Sequence, residues 1–150
     1  MIDTYKLISS FLGIGYLKGG GTIAALVCCI GLYFLGTEGR SASWLPIVSI
    51  IVTLLGIYCA WKVEPFWGKD SSRVVIDEVA GMCVSLLFIP FLIKYIVAAF
   101  ILFRFFDIVK PLLIQRLEKW PGGWGVMADD LLAGIYSNLL MQVIIIYNLF

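Results

Sequence analysis

With 150 residues, the chain has the length of one ordinary domain. Hydrophobic residues make up 61% and charged residues 14%, at a mean hydropathy of +1.00; this excludes an ordinary soluble domain, in which about 25% of residues are charged. A net charge of +1 gives no footing for a nucleic-acid partner, and with no histidine every mechanism needing a His base, nucleophile or ligand is excluded. The composition describes an all-α integral membrane protein, one membrane-embedded domain over residues 1–150, because helices satisfy their own backbone in lipid.

Residues 1–18 mix Asp3, Lys6 and Lys18 with Ile2, Tyr5, Leu7, Phe11 and Leu17, the pattern of a short helix lying at the interface. Gly19–Thr37 is an uncharged run of 19 residues, enough to cross a hydrocarbon core of roughly 30 Å. Glu38 and Arg40 end it. Ser41–Trp61 is a second uncharged run, of 21 residues, followed by a polar stretch with Lys62, Glu64, Lys69, Asp70 and Arg73. Val79–Ile93 has only 15 uncharged residues, so 74–93 and 95–110 read as two helices of a hairpin turning near Pro90–Lys94. Pro111 stops the second of these. The loop 111–128 contains the turn signal Pro121-Gly122-Gly123, and Leu131–Phe150 is a last uncharged run of 20.

The result is a small polytopic bundle of about five helices. With the N-terminus in the cytoplasm, eight Lys and Arg residues fall inside and only Arg40 and Lys94 outside, the bias expected of an inner-facing surface. In that arrangement Gly19–Thr22, Asp77-Glu78, Arg104/Asp107/Lys110 and Asp129-Asp130 all reach the cytoplasmic ends of their helices. Three of those helices begin there, turning their amides and positive dipole ends to the same face, as anion sites do.

Five carboxylates (Asp77, Glu78, Asp107, Asp129 and Asp130) crowded at one face would repel one another, and a divalent cation resolves the conflict. Oxygen ligands without His or Cys suit Mg²⁺, with Mn²⁺ as a substitute. Asp77-Glu78 or Asp129-Asp130 alone would read as acidic residues at a helix N-terminus. Asp107 would not, since it lies near a C-terminus; its local explanation is an ion pair with Arg104 or Lys110. Ionisable groups gathered at a membrane segment's edge mark a functional site. Arg104 and Lys110 serve there as counter-ions or as phosphate ligands, and Gly21 and Thr22 offer a backbone nest. Gly81 and Gly134 each follow an acid by four residues and permit close helix packing. The four cysteines lie in apolar runs without metal spacing and read as packing residues.

Absent motifs exclude cysteine phosphatases and histidine-dependent lipid phosphatases, and disfavour the haloacid-dehalogenase and CDP-alcohol phosphotransferase patterns. The blocks GGGT (19–22), VVIDEVAGM (74–82), FRFFDIVKP (103–111) and GGWGVMADDLLAG (122–134) resemble the phosphatidylglycerophosphatase A family in order and spacing. The resemblance implies a Mg²⁺-dependent, multi-pass enzyme of the bacterial inner membrane, its active site facing the cytoplasm. It would hydrolyse phosphatidylglycerophosphate, an anionic phospholipid, to phosphatidylglycerol. Asp77, Glu78, Asp107, Asp129 and Asp130 would be its catalytic and metal-binding set, with Arg104, Lys110, Gly21 and Thr22 on the phosphate. The first block departs from the family pattern: Gly20 stands for proline, and Ala24-Ala25 stand for Gly-Ser. Leu113 replaces a second proline after Pro111. The rivals are an ion-coupled transporter or channel using buried carboxylates, a lipid phosphotransferase, and a structural protein. Nothing indicates an oligomer.

Overall fold

The computed structural model describes residues 1–36, 39–69, 71–111, 113–117 and 119–149. Thr37, Glu38, Asp70 and Phe150, at or between the ends of apolar runs, lie outside the described residues. The described residues form seven α-helices and one 3₁₀ turn, with no strand among them: α1 (Ile2–Ser9), α2 (Gly20–Leu35), α3 (Leu45–Trp67), α4 (Ile76–Ser85), α5 (Ile93–Val109), α6 (Ile114–Leu117) and α7 (Gly123–Ile146). The all-helical class is as expected. The count of about five is not, and each difference has a physical cause.

The largest difference is at 74–93, where a single spanning helix was expected. α4 has only 10 residues, about 15 Å of helix, and ends at Ser85. Beyond it Phe88 takes a left-handed backbone (φ 60°) and Pro90 lacks an N–H, so the ladder cannot continue. The orphaned carbonyls at this end are met from another helix: Asn138 Nδ2 on α7 donates to Ser85 O at 3.1 Å and to Leu87 O at 2.7 Å. Asn138→Leu should therefore lower stability by about 1–3 kcal/mol, because it strands the buried Ser85 carbonyl, whereas Leu87 O keeps Gln142 Nε2 at 3.4 Å. Thermal unfolding in detergent would show the drop; an unchanged midpoint would mean that water meets the Ser85 carbonyl instead.

The second difference is at the other end of the chain. α7 starts at Gly123 rather than at Leu131, because helix propagation is indifferent to the two acids that broke the uncharged run. Its entry is set by glycine: Gly122 has φ 61°, and a Cβ on Gly123 would overlap the Ile57 carbonyl of α3. The segment 111–128 thus holds α6 and the first turn of α7 instead of being loop throughout. α3 likewise runs on past Trp61 through Lys62 and Glu64 to Trp67. The N-terminal segment forms α1, whose Tyr5 ring meets Tyr58 of α3 edge-on at 5.7 Å.

α4 is the hub. Short and buried, it lies against α2, α3, α5 and α7, with Val79, Ala80, Met82 and Cys83 in the core. A Cβ on Gly134 of α7 would overlap the Gly81 carbonyl of α4, and one on Gly81 would meet Asp130 O at 2.7 Å. The two glycines therefore let the backbones of α4 and α7 touch, as their spacing from the acids implied. At the far end Phe91 N donates to Arg40 O and Gly39 N to Phe91 O, both at 3.1 Å, joining the two connections there. All four cysteines are buried and free; Cys28 and Cys83 Sγ lie 3.8 Å apart between α2 and α4.

Two helices, α3 and α7, are long and apolar enough to cross a membrane. The outer surface carries Ile50, Leu54, Ile101 and Leu139, each about 60% exposed, which a water-facing bundle would bury.

Candidate active site

Four segments distant in sequence meet at one end of the bundle around a cavity of about 420 Å³. Its wall includes every residue singled out above: Gly21 and Thr22 from α2, Asp77 and Glu78 from α4, Arg104, Asp107 and Lys110 from the end of α5, and Asp129 and Asp130 from α7.

Their placement follows from the helices. Asp77 and Glu78 occupy the first turn of α4, where the dipole favours anions. Asp129 and Asp130 do not cap α7; they sit in its second turn, six and seven residues past Gly123, so the N-terminal explanation for them falls. Both are buried, exposed by only 5% and 3%. Asp107 is near the C-terminal end of α5, as expected, and Arg104 one turn earlier binds its Oδ2 through Nη1.

The Arg104 guanidinium also stands 4.0 Å from Glu78 Oε1, and Lys110 Nζ donates to Asp129 Oδ2 at 2.8 Å. Lys110 holds an unusual backbone for a lysine, left-handed at φ 47°, where glycine is the ordinary choice at a helix end. The C-cap position thus combines a chain reversal before Pro111 with a side chain reaching α7. Strain of this kind gathers at functional sites.

The acids outnumber their cations. One oxygen each from Asp77, Glu78 and Asp130 lies within 4.8 Å of the others. Glu78 Oε2, Asp129 Oδ1, Asp130 Oδ2 and Arg104 Nε are buried without a hydrogen-bond partner among the described residues. Buried polar atoms are nearly always satisfied, and each failure costs about 1–3 kcal/mol. Here four failures share one cavity. A hard divalent cation fits this all-oxygen donor set and would answer both the crowding and the unpaired oxygens. Asp107 and Asp129 lie outside the closest triple and are engaged instead by Arg104 and Lys110.

Opposite the acids, α2 begins after Gly19, which has φ 75°. Gly20 N donates to Leu17 O and Ile23 N to Gly19 O, whereas the amides of Gly21 and Thr22 have no partner among the described residues. Gly21 is glycine for a further reason: a Cβ there would overlap Glu78 Oε1. The Gly21→Ala protein should fold, since Glu78 can swing aside, with its thermal midpoint little changed. Its kcat/KM should fall by about 10²-fold through displacement of that carboxylate; wild-type activity would show that the position of Glu78 does not matter.

Lys18, Ser71 and Ser72 also line the cavity and were missed in the sequence. The only signal was adjacency, since Lys18 precedes the GGGT block and the serines precede VVIDEVAGM.

The profile of the phosphatidylglycerophosphatase A family matches residues 7–145. The chain belongs to that family. It is accordingly a phosphatase, and the family together with α3 and α7 makes it a membrane protein. Among its relatives, a putative phosphatidylinositol-3-phosphatase of Bacteroides thetaiotaomicron is 44% identical over 82% of this chain and 79% of its own length. The phosphatidylglycerophosphatase A of Haemophilus influenzae is 42% identical over 65% of this chain and 62% of its own length. That of Escherichia coli is 32% identical over 64% and 59%, respectively. The chain thus aligns with less than two thirds of those last two proteins. No solved structure matches it.

Proposed function

We propose that this phosphatase is a Mg²⁺-dependent phosphomonoesterase that releases inorganic phosphate from phosphatidylglycerophosphate, leaving phosphatidylglycerol. The observation that carries the reading is the joint one: five acids, two cations and an open helix N-terminus line a single cavity, with more buried carboxylate oxygens than partners. We place it in the bacterial inner membrane with the cavity facing the cytoplasm, on the strength of the basic residues at that end.

Asp77, Glu78 and Asp130 would hold the cation, with Asp107 and Asp129 beside it. When bound, Mg²⁺ supplies positive charge against the phosphate oxygens and so lowers the cost of the transition state. The chain's own groups do the rest. Arg104, whose Nε has no partner among the described residues, takes phosphate oxygens through its planar fork; Lys110 adds a point charge. The Gly21 and Thr22 amides at the positive end of α2 donate to the same group. A water adds to phosphorus and the ester P–O bond breaks, the lipid oxygen leaving to become the headgroup hydroxyl of phosphatidylglycerol. The proton lost by the water goes to a carboxylate of this set, and the set returns a proton to the departing lipid oxygen. Burial of Asp129 and Asp130 in the cavity wall keeps these charges out of bulk water, where they would be weaker.

The name of the Bacteroides relative favours a second headgroup, a phosphorylated inositol lipid, hydrolysed by the same arrangement. The test is phosphate release by purified protein from both lipids, with Mg²⁺ and with a chelator. Release from phosphatidylglycerophosphate, abolished by the chelator, is the expected result. Faster release from the inositol lipid would transfer the assignment to that headgroup, and activity that survives chelation would remove the cation from the account.

A further inference from the structure

A second cavity, of about 530 Å³, opens on the outer surface between α2 and α5, and its wall is apolar. Leu26, Cys29 and Tyr33 line it from α2; Ile93, Val97 and Phe100 line it from α5. These residues are rows on two helix faces. On α2 the row Thr22, Leu26, Cys29, Tyr33 steps by four, three and four residues, and on α5 the row Ile93, Val97, Phe100, Arg104 steps the same way. Such steps keep each row on one face.

The two helices run in opposite directions, so Thr22 and Arg104 stand at the same end. Both are wall residues of the acidic cavity. The apolar groove therefore starts where the phosphate site stops. From Arg104 to Ile93 is 11 residues of α5, roughly 16 Å of helix, against about 15 Å for one leaflet of the hydrocarbon core. Several of its walls face outward: Leu26 is 46%, Val97 50% and Ile93 60% exposed. A chain could therefore enter sideways from the bilayer.

We propose that this groove seats an acyl chain of the lipid whose phosphate occupies the acidic cavity. The assignment rests on the phosphatase reading above and extends it to substrate selection: the headgroup is held by charge at one end and the chain by burial along one leaflet. A diacyl substrate should then be preferred to one whose chains are too short to follow the groove.

Leu26→Trp and Val97→Trp would fill the groove at surface positions where folding tolerates a large apolar side chain, and Ile51→Trp, 51% exposed on α3 and away from the groove, is the control. Initial rates would be measured in mixed micelles on dioleoyl and dihexanoyl phosphatidylglycerophosphate. The wild type and the control should favour the dioleoyl lipid. In the two groove variants kcat/KM for the dioleoyl lipid should fall by about tenfold or more, the worth of a few methylenes left unburied, with the dihexanoyl rate within about twofold of wild type. An active wild type without chain preference, or groove variants that lower both rates equally, would overturn the groove assignment alone. A wild type that releases phosphate from neither lipid would overturn the phosphatidylglycerophosphate reading and the groove assignment with it.

Discussion

Asp130→Asn should reduce phosphate release by about 10³-fold or more, the usual order for removing a group that stabilises transition-state charge in a water-excluded site. The residue is 3% exposed, contributes an oxygen to the closest acidic triple and has a buried Oδ2 with no partner among the described residues. It also shares the cavity wall with the like-charged Asp107, Glu78 and Asp129. A neutral amide of the same shape removes one of these like charges. In the absence of divalent cation the variant should therefore be no less stable than the wild type, and its thermal midpoint should be equal or higher. The combination is diagnostic: activity lost while metal-free stability is kept marks a residue held for chemistry. A variant that loses both would mark Asp130 as structural, and full activity would remove it from the site.

Gly134→Leu should have the opposite signature. A Cβ at this position already overlaps the Gly81 carbonyl, and backbone cannot swing aside as a side chain can. α4 and α7 would have to separate, which costs about 3 kcal/mol or more on the scale of overpacked cores. The same separation pulls Asp77 and Glu78 away from Asp130, so activity should fall along with stability. Thermal unfolding in detergent together with phosphate release would check both. Retained stability would show that α4 can shift freely, contrary to its position among four neighbouring helices.

The site was more legible in the sequence than the fold that builds it. Charge in a chain this apolar is conspicuous, so Asp77, Glu78, Arg104, Asp107, Lys110, Asp129 and Asp130 stand out by composition alone, and helix direction places them at one end. The lengths of the helices were not legible by the same means. Uncharged runs report where a chain avoids ionisable residues; they do not report where hydrogen bonding stops. α4 ends at Ser85 within an uncharged run, because Phe88 and Pro90 turn the chain and Asn138, 53 residues from Ser85, receives the end. α7 begins eight residues before its uncharged run, because Gly123 fits against Ile57. Both causes are tertiary. Lys18, Ser71 and Ser72 were missed for a related reason: outside the apolar segments polar residues are ordinary, and only the fold shows that these three reach the cavity. The pairing of Arg104 with both Asp107 and Glu78 was half legible, its local half through i,i+3 spacing and its distant half through nothing in the sequence.

On the proposed reading, Asp77 and Glu78 of α4 and Asp130 of α7 together hold one divalent cation. Titration of the purified protein with Mn²⁺, followed by electron paramagnetic resonance of free and bound ion, tests it without reference to any substrate. Saturable binding is expected, displaced by Mg²⁺ and lost in the Asp77→Asn/Asp130→Asn double variant. Binding that is absent in the wild type, or equal in the double variant, would contradict that reading.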